Sequence, residues 1–171
     1  GHSFKGYSPE WQSQSFPGEI VFNTSMVGYP EALTDPSYSG QILTFSYPLI
    51  GNYGVPDQAH WESSKIQAAG MVCAHWNNNT QHHQAAQSLL QWLEQQKTPM
   101  ITGIDTRALI KVIRTKGVVA GVISSSDKPP KKFIDINSQN LVAEVSCKQV
   151  TQAGEGDKII IVVDCGIKQN I

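Results

Sequence analysis

The sequence predicts an α/β fold. Short runs of β-forming residues alternate with helical periodicities along the 171-residue chain, and turns rich in Gly and Pro separate them. Residues 18–24 (GEIVFNT) are rich in β-formers and precede polar and Gly residues, so they read as a strand. Residues 41–46 read as a second, stopped by Pro48 and the turn from Gly51 to Gly54. Between them, Gly28, Pro30 and Pro36 forbid a long helix, which leaves residues 28–38 as a shaped loop with at most one helical turn. The apolar run over 66–74 is too short for a helix and reads as a third strand.

Ala86, Leu89, Leu90 and Leu93 fall at helical spacing and predict a helix over residues 80–97, with Thr80 as N-cap and Pro99 beyond the end. Residues 99–104 should form a short strand. Asp105 then caps a helix to Lys116, with Leu109, Ile110 and Ile113 facing inward and Gly117 at its stop. Residues 118–123 read as another strand and 124–132, with Pro129 and Pro130, as a loop. Short extended pieces and turns fill 133–150. Residues 151–157 read as a linker into 158–166 (KIIIVVDCG), a buried-strand pattern with a loop at its C-terminal end, the way an α/β sheet begins. The expected organisation is a domain over 1–150, a linker over 151–157, and the start of a further domain over 158–171. That start should be poorly anchored, because its sheet neighbours are not in this chain.

Composition bounds the function. A hydrophobic content of 40% excludes whole-chain disorder. Charged residues are 16%, under the roughly 25% of an average domain, so much of the polar surface is neutral and suits a domain that lies against partners. A formal charge of −1 gives no global field for nucleic acid or anionic membrane. The three cysteines Cys73, Cys147 and Cys165 have no C-x-x-C spacing, which supports neither a disulfide framework nor a zinc site and points to a reducing compartment. No apolar run approaches the roughly 18 residues of a membrane span, and no secretory signal pattern opens the chain. The start at Gly1, without an initiator Met, leads to the expectation of a cut piece of something longer.

Candidate chemistry is sparse. There is no Gly-x-Ser-x-Gly elbow and no Gly-rich phosphate loop. Cys165, just after a strand pattern, is the best reactive thiol, although buried cysteine is the commoner arrangement. His82 and His83, adjacent on the expected helix and about 100° apart, do not share a metal. Arg107, Lys111 and Arg114 make a basic stripe that reads as a solvated face before it reads as a docking surface. The loop over 28–38, stiffened by Pro30 and Pro36 and carrying Asp35, Ser37 and Tyr38, is equally a ligand-facing loop and a packed one.

Residues 18–44, 47–57, 62–70, 103–107, 143–146 and 164–168 together resemble the N-terminal domain of the small, glutamine-using subunit of carbamoyl phosphate synthetase, most of all in eukaryotic pyrimidine-pathway multifunctional versions. The resemblance implies a three-layer β/β/α swivelling domain, followed from residue 158 by the first strand of a flavodoxin-like class I glutamine amidotransferase domain. It implies a non-catalytic docking role that couples glutamine hydrolysis to carbamoyl phosphate synthesis in pyrimidine or arginine biosynthesis. The alternative is an interaction module of an ammonia-dependent, urea-cycle-type homologue. The implied partners are the glutaminase domain and the large synthetase portion, with no nucleic acid or membrane. ATP and a divalent metal are implied for the synthetase portion, and no cofactor, metal ligand or catalytic residue for this chain, which alone should be inactive. Cys165 does not match the family's nucleophile. Ser37, in the motif Thr34 to Tyr38, is implied to reach across the domain boundary to bind glutamine; a local turn cap is its other reading. The expected location is cytoplasmic, with mitochondrial as the alternative.

Overall fold

The computed structural model describes residues 1–126 and 133–171. Strand β1 (Ser15–Asn23) leads into helix α1 (Tyr29–Thr34), a 3-10 turn (Pro36–Tyr38) and strand β2 (Gln41–Phe45). There follow β3 (Leu49–Ile50), β4 (Gly70–Val72), β5 (His75–Trp76), α2 (Leu89–Gln95), β6 (Met100–Ile101), α3 (Thr106–Lys116), β7 (Ala120–Ser124) and α4 (Leu141–Val145). Five strands form one sheet in the order β6-β4-β2-β1-β7. The first four run parallel and β7 is antiparallel to β1. Strands β3 and β5 form a separate two-stranded parallel ribbon. The chain is therefore mixed α/β.

Alternation along the strands divides the core. In β2, Leu43 and Phe45 join Tyr29, Leu33, Met71, Trp92 and Leu93 in a cluster with α1 and α2. Ile42, one position out of phase, joins Ile20, Val72, Leu109, Ile113 and Ile123 in a cluster with α3. Both faces of β2 are thus covered, which is why it reads as a nearly unbroken apolar run. Each fully buried large side chain here contributes about 1.5–3 kcal/mol.

Asp105 caps α3 through Ala108 N and Gly117 stops it, as its sequence predicts. The helix expected over 80–97 is instead confined to Leu89–Gln95 and is capped by Ser88, not Thr80. Ser88 Oγ accepts from Gln91 N at 3.3 Å while Gln91 Oε1 accepts from Ser88 N at 3.2 Å, a reciprocal cap. Upstream, Ala86 N donates to Val55 O and Val55 N to Gln87 O, both at 2.9 Å. Backbone already committed to that bridge cannot continue the helix. The loop over 28–38 holds a six-residue helix and a distinct 3-10 turn, more structure than the single turn expected. Gly28 enters it at φ 85°, and Tyr53 Oη accepts from Gly28 N at 2.8 Å and from Tyr29 N at 3.3 Å, satisfying two first-turn donors. Strand β4 is shorter than its apolar run because Gln67 N and Ala68 N both turn to Leu33 O near the end of α1.

Residues 133–150, expected as extended pieces and turns, contain a 3-10 turn (Ile136–Ser138) and α4. Pro129 and Pro130 lie outside the described residues. The strand expected over 158–166 is not formed: Ile159 to Val163 are exposed and pair with no strand among the described residues. A β-forming sequence without a neighbour to take its N–H and C=O groups has no ladder to join. Among the described residues, no helix is long and apolar enough to cross a membrane.

Candidate functional site

The site is built where α1 runs out. Thr34 turns its hydroxyl back on Pro30 O at 2.9 Å, and the same oxygen accepts from Glu62 N at 2.9 Å. Asp35 leaves the helix in extended conformation (φ −68°, ψ 120°), and its Oδ1 accepts from Ser37 N at 2.9 Å. Pro36, with its fixed φ, is buried between them. Asp35 therefore caps the turn. The Ser37 side chain is left exposed, and its hydroxyl has no hydrogen-bond partner among the described residues.

The C-terminal residues close over this turn. Lys168 Nζ lies 3.4 Å from Asp35 Oδ2. Gln169 N donates to Glu62 O at 3.0 Å, and both oxygens of the buried Glu62 carboxylate face Asn170, Oε2 accepting from its N–H at 3.3 Å and Oε1 from Nδ2 at 3.0 Å. Gly166 (φ 101°) brings its backbone so close that a Cβ there would stand 2.6 Å from Val145 Cγ2 and 3.3 Å from Pro36 Cβ. Asp164 shapes this segment, with Oδ1 accepting from Ile167 N at 2.8 Å and Gly166 N at 2.7 Å, and Oδ2 from Cys147 N at 2.7 Å. Poor anchoring thus describes residues 159–163 and not 164–171.

Those backbone donors, Ile167 first, then Gly166 and Cys147, hold the Asp164 carboxyl down to about 2, from an ordinary 3.8. A depressed carboxyl contributes stability that is complete above its unfolded value and lost as pH falls through its folded one. The Gly166, Ile167 and Cys147 amide signals should accordingly hold constant above about pH 5 and titrate together with a midpoint at about 2. An NMR pH series checks this; a midpoint at 3.8 would mean that the three bonds do not persist in solution.

Of the other residues singled out, Cys165 is exposed, not buried, and Cys147 is exposed beside Asp164, whose hydrogen bond pushes its thiol up. Cys73 is buried and pushed up to about 11 by desolvation. His82 and His83 lie in a turn before α2 and stack on each other at 4.4 Å between ring centroids. Arg107, Lys111 and Arg114 line the exposed face of α3. Sequence reading assigned no role to Glu62, Asp164, Lys168 or Asn170. Runs 62–70 and 164–168 stood out only as motifs, and nothing linear signals a contact between residues 108 positions apart.

The described residues thus form a mixed α/β domain with the Ser37 hydroxyl exposed on a turn that Asp35 caps. The carbamoyl-phosphate synthase small chain, CPSase domain, matches residues 1–123 as a family model, and the chain belongs to that family. It is 46% identical to the mouse protein carbamoyl-phosphate synthase [ammonia], mitochondrial, over all of this chain and 12% of that protein. It is 45% identical to multifunctional protein CAD of Squalus acanthias, over 99% of this chain and 8% of that protein. It is 40% identical to the Saccharomyces cerevisiae carbamoyl phosphate synthase arginine-specific small chain, over 100% and 44%. The chain thus spans between 8% and 44% of the length of these relatives. Ammonia-type and multifunctional proteins are both among the relatives matched.

Proposed function

We propose that this chain is the non-catalytic docking domain of a glutamine-dependent carbamoyl phosphate synthetase, a ligase in which it joins a following glutaminase domain to the large synthetase portion. In this reading residues 1–150 form a β/β/α swivelling domain, with the β3-β5 ribbon as the second β layer. Residues 151–157 are the hinge-side linker. The exposed run from Ile159 to Val163 becomes the first strand of the flavodoxin-like glutaminase sheet once its neighbours are present. ATP and a divalent metal belong to the synthetase portion, and no residue of this chain is assigned to either. The pathway is pyrimidine or arginine synthesis, and the compartment the cytoplasm.

The observation that carries the reading is the free Ser37 hydroxyl. Asp35 already caps the turn, so the local-cap role is filled, and a hydroxyl that both donates and accepts stands ready for a substrate's polar group. Ser37→Ala in the complete enzyme should raise KM for glutamine about two- to tenfold, the value of one hydrogen bond of roughly 0.5–1.5 kcal/mol. Ammonia-dependent synthesis should be unchanged. An unaltered glutamine KM, or an equal loss with ammonia, makes the turn structural and overturns the assignment. Similarity to the mouse ammonia-type protein favours a second reading, an interaction module beside a silent glutaminase in mitochondria. Glutamine hydrolysis by the complete enzyme decides between the two.

A further inference from the structure

Glu62 makes more connections between distant parts of the chain than its place in a bend requires. Its N–H binds the Thr34 hydroxyl at 2.9 Å, and its neighbour Ser63 donates its own hydroxyl to Thr34 O at 2.6 Å, so the 62–63 bend grips the residue just before Asp35. From the other side, its carbonyl and both carboxylate oxygens take three N–H donors of Gln169 and Asn170. The side chain is buried, and among the described residues no cation pairs with it. A buried carboxylate is costly unless its oxygens are occupied, and here the two N–H donors of Asn170 occupy them. The bond set is acceptor-only on the Glu62 side chain. Gln keeps the shape but turns an NH2 group toward one of the Asn170 donors.

We propose that Glu62 is a positioning residue for glutamine use, holding Lys168 to Ile171, in this reading part of the following domain, against the Asp35–Ser37 turn so that Ser37 meets that domain at a set distance. The assignment rests on the reading of Ser37 given above. Asn170 is the other half of the lock and is itself exposed, so it can be changed without opening the core.

In the complete enzyme, Glu62→Gln and Asn170→Ala should each raise KM for glutamine severalfold with kcat nearly unchanged, and leave the ammonia-dependent reaction as it was. Hydrogen exchange over residues 164–171 should quicken in both. Faster exchange with an unaltered glutamine KM makes the contact merely structural and overturns the proposal, as does unaltered exchange or an equal loss with ammonia. Ser37→Ala in the same series separates the two ideas. If it raises KM while the lock variants do not, the positioning role fails and the glutamine reading stands. If the lock variants act and Ser37→Ala does not, Glu62 does not work through Ser37 and both fail.

Discussion

Trp92→Ala lowers folding stability by about 3–5 kcal/mol, the usual cost of emptying a large aromatic site in a core. Trp92 is fully buried in α2 and packs on Trp61 at 5.0 Å between ring centroids, in the cluster that also holds Leu43, Phe45 and Met71 of the sheet. Domains of this size are stable by roughly 5–15 kcal/mol, so the variant gives up about a fifth of the total or more. Trp92→Phe should cost much less. It keeps most of the ring, and it removes an indole N–H that has no hydrogen-bond partner among the described residues, a donor whose burial is itself unfavourable. Urea unfolding followed by circular dichroism gives both values, with the midpoint moving and the slope unchanged. A loss under about 1 kcal/mol for the Ala variant would show that α2 is not clamped to the sheet as described.

Gly51→Ala should cost about 2–5 kcal/mol, from backbone strain and a steric conflict acting together. Gly51 has φ 83°, and a Cβ there would stand 2.1 Å from Asn77 O, a backbone atom with no freedom to swing aside. Asn77 N also donates to Ile50 O at 2.7 Å, so making room separates β3 from β5. Gly117→Ala is the control. It too has positive φ (77°), but nothing lies within 4 Å of the added carbon. The Gly51 variant should therefore be the less stable of the two by about 1–3 kcal/mol, the cost of overpacking alone. Equal losses would mean that strain accounts for everything and that the β3-β5 ribbon yields freely.

The elements legible in advance are those whose signals are local. Asp105 before an apolar periodicity and Gly117 after it specify α3, because a cap and a stop act within one turn of the backbone they satisfy. The runs at β1, β2 and β7 were legible for the same reason, since β-forming residues bounded by turn signals describe a strand before its partner is known. Residues 80–88 were not. Their apolar spacing continues that of α2, and only the bridge to Val55, some thirty positions earlier in the chain, withdraws them from the helix.

At the candidate site the same division holds. The motif around Ser37 identified the turn, and Pro36 with Asp35 is sufficient to bend it, so its position and its polar character were determined by the sequence itself. That Asp35 would cap the turn and leave the Ser37 hydroxyl uncommitted was not legible, because which polar side chain takes a free backbone N–H depends on the geometry of the turn. Glu62, Lys168 and Asn170 became part of the site only in three dimensions. A hydrogen bond carries no trace in sequence of which of many polar groups will accept it, and two residues 108 positions apart meet only after α1, the 62–63 bend and the C-terminal turn have each been placed by packing. The apolar run at 159–163 is the converse case. Its strand character is written in its residues, yet a strand exists only with a neighbour to pair it, and among the described residues the tertiary structure supplies none.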